Sequence, residues 1–206
     1  MNRDELLRLC GGYPYFDLAF LLQMSGQSAA TINQNVKRWL SNGILVALRR
    51  GLYTLPDHLR RVSVPVPRLA NDLYPPSYLT DTWALSFHGL IPDVSRQYTS
   101  ATPRRPTTFT NAFGSFAYRH LHDRLFWGFD TVSLEAGSFR CASPEKALID
   151  HWYWSRGEWT PARMRELRLQ QFERIDADAL GRAVERVDRP RIRRACEVYV
   201  QMARET

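Results

Sequence analysis

The sequence predicts an α+β chain in two unequal parts, a helical first part closed by a short hairpin and a larger mixed second part. Three observations lead there. Apolar residues recur at helical spacing in three short stretches before Gly43, and strand-like runs crowd residues 97–142. Between them, Pro56 to Pro67 (PDHLRRVSVPVP) is rich in proline and basic residues, which marks a boundary at residue 61. With 206 residues, the chain is long enough for each part to bury a core of its own.

The elements of the first part follow from local chemistry. Asp4 to Cys10 reads as a helix ended by Gly11-Gly12, with Leu6, Leu7 and Leu9 available for burial. Phe16 to Met24 (FDLAFLLQM) reads as a second, more apolar helix that stops at Ser25-Gly26. Ser28 is a good N-cap for a third helix running to about Asn42, with Gly43 in the left-handed position beyond it. Two short strands, Ile44 to Leu48 and Leu52 to Leu55, are joined through Arg49-Arg50-Gly51 as a tight hairpin.

The third helix carries the chemistry. At 100° per residue, Ala29, Ile32, Val36, Trp39 and Leu40 fall on one apolar face. Thr31, Gln34, Arg38 and Ser41 fall opposite, with Asn35 and Lys37 at the edges. Gln and Asn suit adenine, Arg suits guanine, and Thr reaches a thymine methyl, so this face is suited to a major groove. Arg49 and Arg50 at the hairpin tip are placed for phosphate or minor-groove contact. The order helix, helix, helix, hairpin is that of a winged helix-turn-helix. Its DNA-contacting candidates are Ser28, Thr31, Gln34, Asn35, Lys37, Arg38, Arg49 and Arg50.

The second part (62–206) reads as strands and helices to about residue 155 and a helical tail over 160–206. An extended or helical stretch to Leu73 precedes Tyr74-Pro75-Pro76. A helix over Asp81–His88 is capped by Thr80 and ended by Gly89. Strands are expected over 97–101, 107–110, 115–120, 125–134 and 139–142, with Asn111 to Gly114 turning a hairpin. Ser143-Pro144 opens a helix to Trp154. Three short helices finish the tail, the second capped by Asp176 and the third opening at Pro190.

Composition narrows the function classes. Lys and Arg number 28 against 21 Asp and Glu, and the net charge of +7 favours polyanionic partners. It is concentrated at the ends, with eight basic against four acidic residues in 1–61, nine against nine in 62–159, and eleven against eight in 160–206. The opening MNRDELLRLC lacks the apolar core of a signal peptide, and no run is long enough to span a membrane, so a cytoplasmic protein is expected. Cys10, Cys141 and Cys196 are too scattered for a disulfide frame or metal site. His120 and His122 share a strand face without a third ligand, and Ser143-Pro144-Glu145-Lys146 reads as a capped helix start. His88 reads as a helix-end imidazole suited to the dipole, and His151 as packed among aromatic residues. There is no Walker loop, HExxH, GxSxG or CxxC, so neither catalytic residues nor a cofactor are expected.

Four blocks in the second part resemble a known family: YPPSYLTDTWALSFHGLIPD (Tyr74 to Asp93), TPRR (Thr102 to Arg105), FGSFAYRHL (Phe113 to Leu121) and ASPEKALID (Ala142 to Asp150). Together with the hairpin RRGLYTL, they are similar to AbiEi antitoxins of type IV toxin–antitoxin systems, over roughly residues 5–155. In the hairpin Arg49, Gly51 and Tyr53 match, and in the second part Ser86, His88, Glu145, Lys146 and Asp150. The resemblance implies a repressor of its own operon on inverted repeats in double-stranded DNA, often cooperative through self-association. It also implies a second domain that counters a neighbouring nucleotidyltransferase toxin without forming a stable complex. The alternatives are a plain winged-helix regulator and a nucleic-acid-processing enzyme with Glu145, Lys146, Asp150 and His88 as its site.

Overall fold

The computed structural model describes residues 1–135 and 137–205 and is mixed α+β, with two sheets. The N-terminal part runs α1 (Arg3–Cys10), β1 (Phe16–Asp17), α2 (Leu18–Ser25), α3 (Ala29–Ser41), β2 (Val46–Arg49) and β3 (Leu52–Thr54). One expectation is corrected here: Phe16 does not begin the second helix. It pairs with Tyr53 in a three-stranded antiparallel sheet of order β1-β3-β2, and Asp17 becomes the N-cap of α2, accepting from the Phe20 amide at 2.8 Å. Leu6, Leu21, Ile32, Val36, Trp39 and Leu55 are the buried centre of this part.

The second part opens with α4 (Val66–Leu73), β4 (Tyr78–Leu79) and α5 (Asp81–Phe87). It continues through β5 (Gln97–Thr102), β6 (Thr107–Asn111), β7 (Gly114–His120), β8 (Phe129–Leu134) and β9 (Gly137–Ala142). The five strands from β5 to β9 form one six-stranded sheet with the unexpected β4, in the order β6-β7-β5-β4-β9-β8. The β5–β7 and β4–β9 pairs are parallel and the others antiparallel. The expected strand over 125–134 begins only at Phe129, because Asp123–Leu125 form a single 3-10 turn.

Helices cover both sides of this sheet. On β7 Tyr118 donates to the Ala70 carbonyl of α4, while its neighbour Arg119 reaches the opposite face and the Trp154 carbonyl at 3.4 Å. Trp154 ends α6 (Pro144–Trp154), onto which the tail folds: α7 (Pro161–Glu166), α8 (Ala177–Val187) and α9 (Pro190–Glu205).

The proline-rich segment predicts a boundary that few contacts cross, yet several do. Leu48 and Leu52 of the hairpin are buried in the core of the larger part. Asn111 donates to the Leu48 carbonyl at 3.1 Å, and Tyr15 donates to Asp72 at 2.6 Å. A register shift between Ala47 and Arg49 places Leu48 at a bulge, where it turns toward the larger core. Leu48→Ala is expected to cost about 2–5 kcal/mol as a buried large-to-small change, read from the urea midpoint of the full chain.

Candidate nucleic-acid interface

α2 and α3 are joined by a three-residue turn whose geometry is locally determined. Gly26 adopts φ +62 and its amide caps the Leu22 carbonyl at 3.2 Å, a conformation other residues adopt only with strain. Ser28 then N-caps α3, accepting from the Thr31 amide at 3.3 Å. At the far end Gly43 has φ +67, as expected beyond a helix C-terminus.

α3 divides into two faces. Ile32, Val36 and Trp39 are buried and Leu40 is half-buried. Thr31, Gln34, Lys37, Arg38 and Ser41 are exposed together on the other side. Ala29 is exposed, not packed as the apolar stripe predicts, because it begins the helix ahead of the first turn that reaches α2. Two candidate pairs are held to each other. The Arg38 guanidinium donates to the Asn35 amide oxygen at 2.9 Å, and the Ser28 and Thr31 hydroxyls share a hydrogen bond of 2.9 Å. Asn35 is half-buried, and its amide oxygen fixes the direction of the Arg38 guanidinium.

The two hairpin arginines separate. Arg50 is exposed on a two-residue turn, beside Gly51 at φ +81. Arg49 is half-buried, donates to the Arg50 carbonyl at 2.9 Å, and lines a cleft of 370 Å³ with Tyr15, Asp17, Asp72 and Pro75. Its positive charge acts on Tyr118 of the larger part. The expectation that both arginines stand at the tip therefore fits Arg50 and not Arg49, whose strand position turns it inward.

The residues of the enzyme alternative are not assembled into an open site. Lys146 and Asp150 form a buried ion pair, and the second Asp150 oxygen accepts from the Tyr78 and Thr80 hydroxyls, both at 2.8 Å. Burial pulls the Lys146 pKa down and pushes that of Asp150 up, each opposed by the partner's charge. Glu145 accepts from the Asp176 amide at 3.0 Å and fixes the tail, while His88 lies 2.8 Å from the Ala142 carbonyl. Thr80 stands at the N-cap position of α5 but makes no side-chain cap, because its hydroxyl is committed to Asp150. His88 likewise turns from the helix end toward β9. The blocks that suggested the family resemblance thus have packing and capping reasons in this chain.

A second charged group escaped the sequence reading. Asp81 has φ +59 and accepts from Arg119 at 3.0 Å, with His151 Nδ1 at 2.6 Å. Burial pushes the Asp81 pKa up, but these partners outweigh it and hold the carboxyl below its ordinary value. Nothing local in the sequence signals this cluster, because Asp81, Arg119 and His151 come from three separate segments. His120 Nδ1 donates to the Arg104 carbonyl at 3.1 Å, and His122 accepts from the Arg124 amide at 3.3 Å. Among the described residues no group of three metal-ligating side chains occurs, and no helix is long and apolar enough to cross a membrane.

Compared with models of protein families and with curated proteins, the chain finds no match.

Two outcomes follow from the charge clusters. Lys146→Met or Asp150→Asn alone is expected to cost about 3–5 kcal/mol, and the double variant clearly less than the sum, because no lone charge is then buried. Denaturant titration of the three variants checks this. The depressed Asp81 pKa contributes stability that is complete above the unfolded value of 3.8 and is lost as pH falls through the lower folded value. Arg119→Leu should shift the acid-unfolding midpoint upward, measured by circular dichroism.

Proposed function

We propose that the chain is a regulator that binds duplex DNA through an N-terminal winged helix-turn-helix (1–61), with α3 as the recognition helix. The observation that carries this is the division of α3, whose apolar face is anchored while Thr31, Gln34, Lys37 and Arg38 are exposed together. The turn before it, the hairpin after it and the strand β1 closing the hairpin support the same reading. Arg50 is the hairpin residue available to phosphate, and the net charge of +7 favours the encounter.

The wider reading is an AbiEi-like antitoxin of the cytoplasm, with no catalytic residues or cofactor of its own. It represses its operon at inverted repeats and counters a nucleotidyltransferase toxin encoded beside it. That part rests on the sequence blocks of residues 62–206, and a second-domain role without catalysis fits the burial of Lys146 and Asp150. Coexpression of the full chain with the neighbouring toxin tests it by growth rescue, and growth arrest that is equal with and without the chain would refute it.

For the DNA-binding reading, the test is retardation of the promoter duplex upstream of the gene over a salt series. Binding should fall steeply with salt as counterions are released. Gln34→Ala and Arg38→Ala should each cost about 1–3 kcal/mol and blur base preference. Arg50→Ala should lower the salt slope by about one, and Arg49→Ala should leave the slope unchanged. No retardation at low salt would sink the reading.

A further inference from the structure

The Arg-rich tail has no role in the reading above, and its surface points to one. α8 and α9 pack against each other and against α6 on one side. On the other side they leave an open groove of 670 Å³ with Val184, Cys196 and Val200 in its lining. Gly181 of α8 also lines it, and a Cβ added there would meet nothing within 4 Å.

The charges around the groove have an order. Along α9, Arg193, Glu197, Gln201 and Glu205 are exposed and spaced four residues apart, which makes one ridge. Turned end for end about its middle, this ridge sets Arg193 against Glu205 and Glu197 against Gln201. The neighbouring row, Cys196 and Val200, brings apolar groups close to the same centre. A two-fold axis parallel to the helices would instead set Arg193 on Arg193 and Glu205 on Glu205, so about a two-fold the ridge is complementary to itself in the antiparallel pairing. Among the described residues these groups have local partners: Arg193 lies 3.8 Å from Asp188, and Gln201 donates to Glu205 at 3.2 Å.

We propose that the α8–α9 groove is an isologous interface for a second copy of this chain, with two α9 helices antiparallel across a two-fold axis. Val200 of each copy meets the other near the axis, and two Arg193–Glu205 bridges flank it. In such an interface the same patch serves both copies, which is what a self-complementary charge order provides. The pairing does not depend on the DNA-binding reading, although a two-fold dimer would present two α3 helices to an inverted repeat.

The test is sedimentation velocity over a concentration series with the full chain, for wild type, Arg193→Glu, Glu205→Arg and the double variant. Circular dichroism melts confirm that each is folded. Wild type should dimerise, and each single reversal should raise the dissociation constant roughly tenfold or more, because like charges then face each other. The double variant should return to within about threefold of wild type, since the swapped charges again oppose. A monomeric wild type at every concentration would overturn the proposal. So would single reversals that leave the dimer intact, or a double variant no better than either single one.

Discussion

The carboxylate of Asp150 joins elements that the chain brings together from far apart. It lies on α6, accepts hydroxyls from Tyr78 on β4 and from Thr80 at the head of α5, and pairs with Lys146 one turn away. A bare carboxylate buried there would be strongly unfavourable, so all three partners must be in place for the site to be tolerated. That requirement ties the two-residue strand β4 to α6. Because β4 lies between β5 and β9, the halves of the six-stranded sheet meet on this one short segment. The ion pair adds little to net stability by itself, since its desolvation offsets most of its attraction. What it contributes is a single permitted arrangement of three elements, β4, α5 and α6.

The neighbouring cluster extends the same constraint toward the surface. Asp81 follows Thr80 directly, and its backbone is held at positive φ while its carboxylate takes Arg119 from β7 and His151 from α6. A non-glycine residue in that region carries strain that the hydrogen bonds to Arg119 and His151 offset. Through the adjacent residues Asp150 and His151, the two clusters thus lock one turn of α6 to the sheet and to the head of α5. The tail attaches to the outer side of the same helix through Glu145 and the Asp176 amide.

What the sequence made legible and what it hid divide by the range of the interactions involved. The helices around Ser28, Ser143 and Asp176 follow from caps and periodicity, which act within a few residues, and the structure has them. The strands β1 and β4 are two residues each, too short for a period, and exist only because Tyr53 and Ser100 lie opposite them. Thr80 shows the limit of a local rule: its position is that of a cap, but a carboxylate seventy residues away takes its hydroxyl. Arg49 and Arg50 are adjacent and chemically alike, and only the pairing of β2 with β3 decides that one is turned inward and the other outward. On α3, by contrast, the exposed polar face was readable in full, since one helix and one buried side determine it.

The bulge at Leu48 has a mechanical meaning. The β2–β3 hairpin is clasped from two directions: Leu55 and Tyr53 belong to the small core, Leu48 and Leu52 to the large one. A chain joined only through Pro56 to Pro67 would let the helical head swivel like a weight on a string. Clasped through the hairpin, the head and the six-stranded body form a stiff lever, with Asn111 on the β6–β7 turn as its pivot pin. The pitch of α3 is then set by the body, and anything that shifts that turn by an ångström or two re-aims the helix without touching it.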